Sequence, residues 1–180
     1  MKLMLLTYLL CISINAPGQG DYTRSEVTIN LPKIWSKLIE LVDEEEWERV
    51  SYINEKVKDV LVVNCWEQLE LYNEYLLNIG LKKKLKAKNQ IVIIIANSIL
   101  LEINSVLDIE DVNLRKAKVK DLFGELISIQ FFLKKVDFNY YKSLYSLIKT
   151  TYGNISNNKR MEEIINSNLY YKSLLDSCRN

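Results

Sequence analysis

Apolar residues recur every three to four positions along most of this chain, which is the spacing of one face of an α-helix. One such stripe ends at Gly153, a residue suited to the left-handed conformation that closes a helix. A last helix is predicted from about Lys159 to Asp176. The three clearest stripes are Trp47, Val50, Ile53, Val57 and Leu61; Val112, Val119, Phe123, Leu126, Ile129 and Leu133; and Phe138, Tyr141, Tyr145, Ile148 and Tyr152.

Three candidate helix starts share one capping pattern. In each, an apolar residue precedes an aspartate, and a second apolar residue follows four positions later. This arrangement is typical of a hydrophobic staple around an N-cap carboxylate. It predicts helix starts near Glu44, Ile109 and Phe138. The staples are Val42-Asp43 with Trp47, Leu107-Asp108 with Val112, and Val136-Asp137 with Tyr141.

Two segments allow more than one interpretation. Residues 44–79 form either one long helix or two helices, the second opening at Asn64-Cys65-Trp66-Glu67. The segment Ile91–Leu107 is apolar nearly all round, and its uninterrupted part is too short to cross a bilayer. A central buried helix is favoured over a strand, which would have no partner strand in this sequence. Three polar residues interrupt the segment: Asn97, Glu102 and Asn104.

Helix-breaking residues are scarce. No proline follows Pro32, and glycine recurs only at positions 80, 124 and 153. A β-rich domain needs more turn residues than this. The sequence therefore predicts an all-α fold, a helical bundle of four to seven helices with mostly antiparallel up-down packing, as a single domain over residues 33–180. Residues 19–32 are predicted to be an extended lead-in, with Pro32 in the first turn of a helix.

The N-terminus has the order of features of a secretory signal peptide. Lys2 precedes an apolar run from Leu3 to Ile14, and Ala16-Pro17-Gly18 supplies small residues at a cleavage site. Cleavage is expected after Gly18, so residues 1–18 are the signal peptide. The apolar run is shorter than the roughly 20 residues of an anchor. The exported protein is then expected in the periplasm, at the cell surface or secreted, with no transmembrane span in the mature chain.

Composition excludes several classes of chemistry. The chain has no histidine, which rules out Ser-His and Cys-His nucleophile pairs and histidine metal sites. Its five glycines are too few and too scattered to form a phosphate-binding glycine loop. A net charge of +1 gives no overall field that would attract nucleic acid. We therefore expect a non-enzymatic protein with no cofactor and no nucleic-acid partner.

Cys65 and Cys178 would both remain after removal of the leader. An oxidising compartment would allow them to form a disulfide. The alternative is that Cys65 is a small buried apolar residue and that Cys178 lies in a frayed tail. Spacing alone leaves both interpretations open, with the second slightly favoured.

Glutamates at helical spacing form one candidate site. Glu67, Glu70 and Glu74 fall on one face of a predicted helix, and their oxygens would suit a hard cation. A solvated acidic face is the commoner explanation of such spacing. A metal site would need further carboxylates converging from another helix, such as Glu102 or Glu125.

Two other groups are candidate partner-binding residues. The basic run Lys82, Lys83, Lys84, Lys86 and Lys88 could contact an anionic lipid surface or an acidic partner, although a solvated turn is the default. Paired tyrosines suit a protein or small-ligand interface, because the ring is apolar and the hydroxyl polar. The default explanation is that they lie at the edge of the core with their hydroxyls in water. The tyrosines concerned are Tyr140, Tyr141, Tyr170 and Tyr171.

Three function classes are compatible with these features. The leading hypothesis is an exported, non-enzymatic helical bundle that binds a protein partner or a small ligand between its helices. The second is an envelope metal-binding or metal-buffering protein that uses the carboxylate helix face. The third is an enzyme with a carboxylate pair or a lysine, for which no spacing singles out a candidate.

Overall fold

The computed structural model describes residues 24–57 and 66–178, and these ranges contain eight α-helices, one 3₁₀ helix and no strand. The all-α prediction is confirmed, with one α-helix more than the predicted four to seven. The helices are α1 (Arg24–Asp43), α2 (Trp47–Val57), α3 (Trp66–Gly80), α4 (Lys84–Glu102), α5 (Val112–Val136), α6 (Phe138–Gly153), α7 (Asn158–Ser167) and α8 (Leu169–Cys178), with the 3₁₀ helix (Ile103–Asp108) after α4.

Helix α4 lies at the centre of the fold and packs against α1, α3, α5 and α8. Nearly all of its residues from Ile91 onward are buried, as predicted for this segment. Because α4 is apolar on every side, it needs neighbours all round it. Every described helix contributes side chains to the single apolar cluster that surrounds it.

The same segment has the dimensions of a membrane-spanning helix. Among the described helices, only the 25-residue run Lys84–Asp108, formed by α4 and the 3₁₀ helix, is long and apolar enough to cross a bilayer. In the fold, 67% of its most apolar stretch is buried against protein. That degree of burial is typical of the core helix of a globular bundle.

The cap predicted at Asp137 is confirmed. Helix α6 begins at Phe138, and the Asp137 carboxylate accepts a hydrogen bond of 2.8 Å from the backbone N–H of Tyr140. This side chain satisfies one of the N–H groups that a helix start leaves without a partner. It also fixes the sharp turn that joins α5 to α6.

The caps predicted at Asp43 and Asp108 are wrong. Asp43 is the last residue of α1, and α2 begins only at Trp47. Asp108 ends the 3₁₀ helix, and the N-cap of α5 is Asp111. Val42, the apolar residue before Asp43, is buried in the last turn of α1, so the staple pattern alone does not distinguish a helix end from a helix start.

The predicted lead-in is corrected over residues 24–32, whereas its first part, residues 19–23, and the predicted signal peptide, residues 1–18, lie outside the described residues. Helix α1 begins at Arg24, so residues 24–32 are helical rather than extended, and Pro32 lies inside the helix. Proline lacks one backbone N–H but has a φ angle compatible with a helix. A proline therefore does not by itself mark a first turn.

The described parts of residues 44–79 contain two helices, α2 and α3. Asn54 of α2 donates a hydrogen bond of 2.9 Å to the hydroxyl of Tyr75 in α3. In one continuous helix these residues, 21 positions apart, would be separated by roughly 30 Å along the axis. Helices α2 and α3 are therefore separate helices that pack against each other.

Replacing Asp111 and Asp108 in turn gives a direct test of which aspartate is the N-cap of α5. The Asp111 carboxylate accepts hydrogen bonds from the N–H groups of Asn113 and Leu114, at 2.7 and 2.9 Å. We expect Asp111→Ala to lower the free energy of unfolding by about 1 kcal/mol. The matched variant Asp108→Ala should change it by less than about 0.5 kcal/mol. Urea unfolding of both variants measures the difference, and equal losses would contradict the assignment.

Candidate ligand-binding site

The glutamate face is solvent-exposed. Glu67, Glu70 and Glu74 all lie on the outside of α3, and Glu74 accepts a hydrogen bond of 2.8 Å from Gln90. No group of three Asp, Glu or Cys side chains in residues 24–57 and 66–178 is arranged to hold a metal ion. The carboxylates of Glu102 and Glu125 are buried near one another instead of converging on this face.

Part of the basic run is neutralised by acidic residues at the end of α1 and in the turn that follows it. Lys88 forms an ion pair with Asp43, and Lys84 lies 3.6 Å from a carboxylate oxygen of Glu45. Lys82 and Lys83 are exposed in the turn before α4. The two charge clusters that the sequence presents separately therefore lie side by side, and only part of the positive charge remains for a partner.

The tyrosine cluster belongs largely to the core. Tyr140 and Tyr171 are buried, so their rings are not available to a partner surface. Tyr140 stacks on Tyr170, with ring centroids 4.5 Å apart, and its hydroxyl donates to Asn97 of α4 at 2.7 Å. Burial raises the pKa of the Tyr140 hydroxyl. Tyr141 and Tyr170 remain half-buried at the edge of this cluster.

The proposed disulfide involves one residue outside the described ranges. Cys65 lies outside them, whereas Cys178 is the last residue of α8 and is half-buried. Cys178 packs against the apolar core. The pairing of Cys65 with Cys178 therefore stays a prediction.

A group of buried charges links α4 to α5. Glu102 forms an ion pair with Lys118, and Glu125 lies close enough to Glu102 for their carboxylates to interact electrostatically. The pKa of Glu125 is raised to about 8, mainly by burial and also by the charges of Glu102 and Asp121, whereas the charge of Lys118 lowers it. Glu125 Oε1 has no hydrogen-bond partner in the described part of the chain. Glu125 is therefore largely protonated at neutral pH.

A groove of about 600 Å³ lies between α6, α7 and α8, and hydroxyl and amide groups line much of it. Several of these groups already have partners within the fold. Thr150 and Ser167 donate to backbone carbonyls, Asn154 donates to the Thr150 carbonyl, and Arg160 pairs with Glu163. Part of the hydrogen-bonding capacity of the groove is therefore taken up by the fold.

A smaller and more apolar pocket of about 360 Å³ lies between α5 and α6. Val119 and Ile148 are buried in its lining, and the rings of Phe123 and Tyr145 meet with centroids 5.7 Å apart. Specific small-molecule sites are usually apolar concavities of this kind, with a few polar groups that fix orientation. The complete lining is Val119, Lys120, Phe123, Tyr145, Ile148, Lys149 and Tyr152.

Two lysines supply the charged groups of this pocket. Lys120 and Lys149 are exposed, one on each helix, and neither forms an ion pair within the described ranges. Two ammonium groups beside an apolar surface can orient a ligand that has an apolar body and an anionic group. We call the residues that line this concavity the α5–α6 pocket.

Most of the apolar lining of this pocket is visible in the sequence only as part of two helical stripes. Phe123 and Tyr145 occupy regular stripe positions, which predict core packing as readily as a pocket wall. The two lysines Lys120 and Lys149 distinguish a pocket wall from core packing, but nothing in the sequence pattern shows that they lie near each other.

No known protein family, functionally characterised protein or solved structure matches this chain.

The protonation of Glu125 predicts a pH-dependent stability. Its pKa is raised from the ordinary range to about 8 in the folded protein. The contribution of protonated Glu125 to the free energy of unfolding is therefore fully present below about pH 4.5 and is lost as the pH rises through about 8. We expect Glu125→Gln, which stays neutral, to exceed the parent protein in free energy of unfolding by at least about 1 kcal/mol at pH 8.5.

Urea unfolding of both proteins at pH 5, 7 and 8.5 measures this effect, with the exposed Glu162→Gln as the matched control. The advantage of Glu125→Gln over the parent should grow with pH, whereas the control should follow the parent. An advantage that is constant with pH would show that Glu125 is ionised throughout.

Proposed function

We propose that this chain is an exported, non-enzymatic helical-bundle protein that binds a small anionic amphiphile in the α5–α6 pocket. The observation that carries the proposal is the combination of an apolar pocket with Lys120 and Lys149, two lysines that have no ion-pair partner in the described part of the chain. An apolar ligand body would displace water from the pocket. Its anionic group would meet both ammonium groups.

The charge distribution along the chain supports an anionic ligand. Residues 112–153, which form α5, α6 and the turn between them, contain eight Lys or Arg residues and three Asp or Glu residues. The whole chain has a net charge of only +1. Helix α6 itself contains no acidic residue. The positive field is therefore concentrated on the two helices that form the pocket.

The size and lining of the pocket limit the class of ligand. A volume of about 360 Å³ is near the lower end of the range for small-molecule sites and suits one alkyl chain or a small ring system. Tyr152, which is 40% exposed, gives the pocket an edge that remains open to solvent. A single-chain carboxylate fits both the volume and the charge.

Export is the part of the proposal that rests on sequence alone. The order of Lys2, the apolar run and the small residues up to Gly18 supports removal of a leader. The mostly antiparallel up-down arrangement of the bundle is likewise a proposal. It is supported by the packing of successive helices against one another, α3 on α4, α4 on α5 and α5 on α6.

Titration with dodecanoate below its micelle concentration tests the pocket. We expect calorimetry to detect saturable binding to the parent protein and weaker binding to the double variant Lys120→Gln/Lys149→Gln. Each exposed ion pair contributes about 0.2–1 kcal/mol, so the dissociation constant should rise roughly 2- to 30-fold. Dodecyltrimethylammonium, which has the same chain and the opposite charge, should bind the parent more weakly.

The matched control is Lys159→Gln/Lys172→Gln, which removes the same charge from exposed positions in α7 and α8. Its affinity for dodecanoate should equal that of the parent. Equal weakening in both double variants, or equal affinity for the cationic chain, would contradict the proposed pocket.

Mass spectrometry of the protein purified from the envelope or secreted fraction tests export. We expect an intact mass that begins at Gln19, because cleavage after Gly18 satisfies the signal peptidase. Replacement of Ala16 and Gly18 by bulky residues is the matched control and should leave the leader attached. A native protein that retains Met1 would contradict the export proposal.

A further inference from the structure

The turn between α5 and α6 has an unusual surface. Phe131 and Phe138 flank it and are 59% and 56% exposed. Three lysines, Lys134, Lys135 and Lys142, are exposed around them. We call these five residues the aromatic–basic tip. We infer that the aromatic–basic tip docks on an anionic lipid bilayer, with the phenylalanines entering the headgroup region and the lysines contacting lipid phosphates.

The lysines of the tip lie over aromatic rings. Lys135 Nζ is 4.1 Å from the ring centroid of Phe131, and Lys142 Nζ is 5.7 Å from that of Phe138. Lys134 lies 4.5 Å from the ring of Tyr141. None of the three forms an ion pair within residues 24–57 and 66–178. Their charge is therefore available to an external anion.

The one acidic residue in the turn does not oppose an anionic surface strongly. The Asp137 carboxylate is committed to the backbone N–H of Tyr140 as the cap of α6. It is half-buried, whereas the three lysines are exposed. The net charge that the turn presents outward is therefore positive.

The turn before α4 lies at the same end of the bundle as the tip. Lys88 of α4 lies 4.2 Å from the ring centroid of Phe132, next to the tip, which places the start of α4 at this end of the bundle. Leu81 and Leu85 are exposed there, together with Lys82 and Lys86. The exposed apolar area at this end is thus larger than the tip alone and is again interspersed with lysines.

Acidic residues at this end are largely paired. Asp43 and Glu45 are bound to Lys88 and Lys84, and Glu46 lies 3.2 Å from Arg49. The free lysines of the tip are on α5 and α6, and these acidic residues are on α1 and the turn after it. The ion pairs therefore leave the positive charge of the tip in excess.

The apolar side chains favour a bilayer over a nucleic acid or an acidic protein. Anionic bilayers attract lysines near their surface and also accept apolar side chains at the level of the headgroups. Nucleic acid would use the lysines but would leave much of the apolar surface without a partner. Exposed phenylalanines and leucines interspersed with lysines match both properties of an anionic bilayer.

Vesicle co-sedimentation tests this inference on the full purified protein. We expect binding to phosphatidylcholine vesicles in which about one lipid in three is phosphatidylserine, with weaker binding as salt increases. The variant Lys134→Gln/Lys135→Gln/Lys142→Gln should bind at least tenfold more weakly. The variant Phe131→Ser/Phe138→Ser should also lose binding at any salt concentration.

Matched controls change the same residue types away from the tip. Leu114→Ser/Leu169→Ser alters two exposed apolar side chains, and Lys116→Gln/Lys159→Gln/Lys172→Gln removes three charges. Circular dichroism establishes that each variant is folded. The controls should bind vesicles like the parent. The tip variants should retain dodecanoate binding, so that the test of the tip is independent of the test of the α5–α6 pocket.

Several results would overturn the inference. These are no binding to anionic vesicles, equal binding to vesicles of phosphatidylcholine alone, or equal losses in the tip and control variants. Retention of single-stranded polyuridylate by the parent, with loss in the lysine variant and no vesicle binding, would assign the tip to nucleic acid instead.

Discussion

Burial of α4 is the constraint on which the rest of this fold depends. The helix is apolar on all sides from Ile91 onward, so no orientation gives it a stable solvent face. Helices α1, α3 and α5 cover it, and α8 reaches it as well. A helix of this kind also brings its few polar groups into the core, where each needs a partner because an unpaired buried polar group is costly.

The polar residues of α4 then determine where its neighbours lie. Asn97 accepts a hydrogen bond from Tyr140 and donates one to Gln68, which ties the central helix to α6 and α3. Glu102 of α4 pairs with Lys118 of α5, which ties these two helices together. These contacts hold α5 and α6 in the arrangement that forms the α5–α6 pocket. The site therefore depends on polar contacts made on the opposite side of the two helices that line it.

The sequence predicts elements better than it predicts their ends. Helical spacing and the lack of proline and glycine suffice for the all-α fold and for a buried helix at Ile91–Leu107. Asp137 is a cap, whereas Asp43, with the same flanking pattern, ends a helix and pairs with Lys88, 45 positions away. The tyrosines show the same limit, because Tyr140 is core and Tyr141 is half-buried. The local sequence pattern contains no information on the tertiary contacts that determine whether an aspartate caps a helix or a tyrosine is buried.

The two surfaces proposed for binding share one origin. Neither is a sequence motif, because Lys120 and Lys149 are 29 positions apart and meet only when α5 and α6 form a hairpin. That hairpin concentrates positive charge because the acidic residues of the chain lie mostly on other helices. Lys84 and Lys88 of α4 pair with Glu45 and Asp43, whereas most lysines of α5 and α6 form no ion pair in the described part of the chain. The net charge of only +1 for the whole chain therefore conceals a basic hairpin, which is the feature that both binding proposals use.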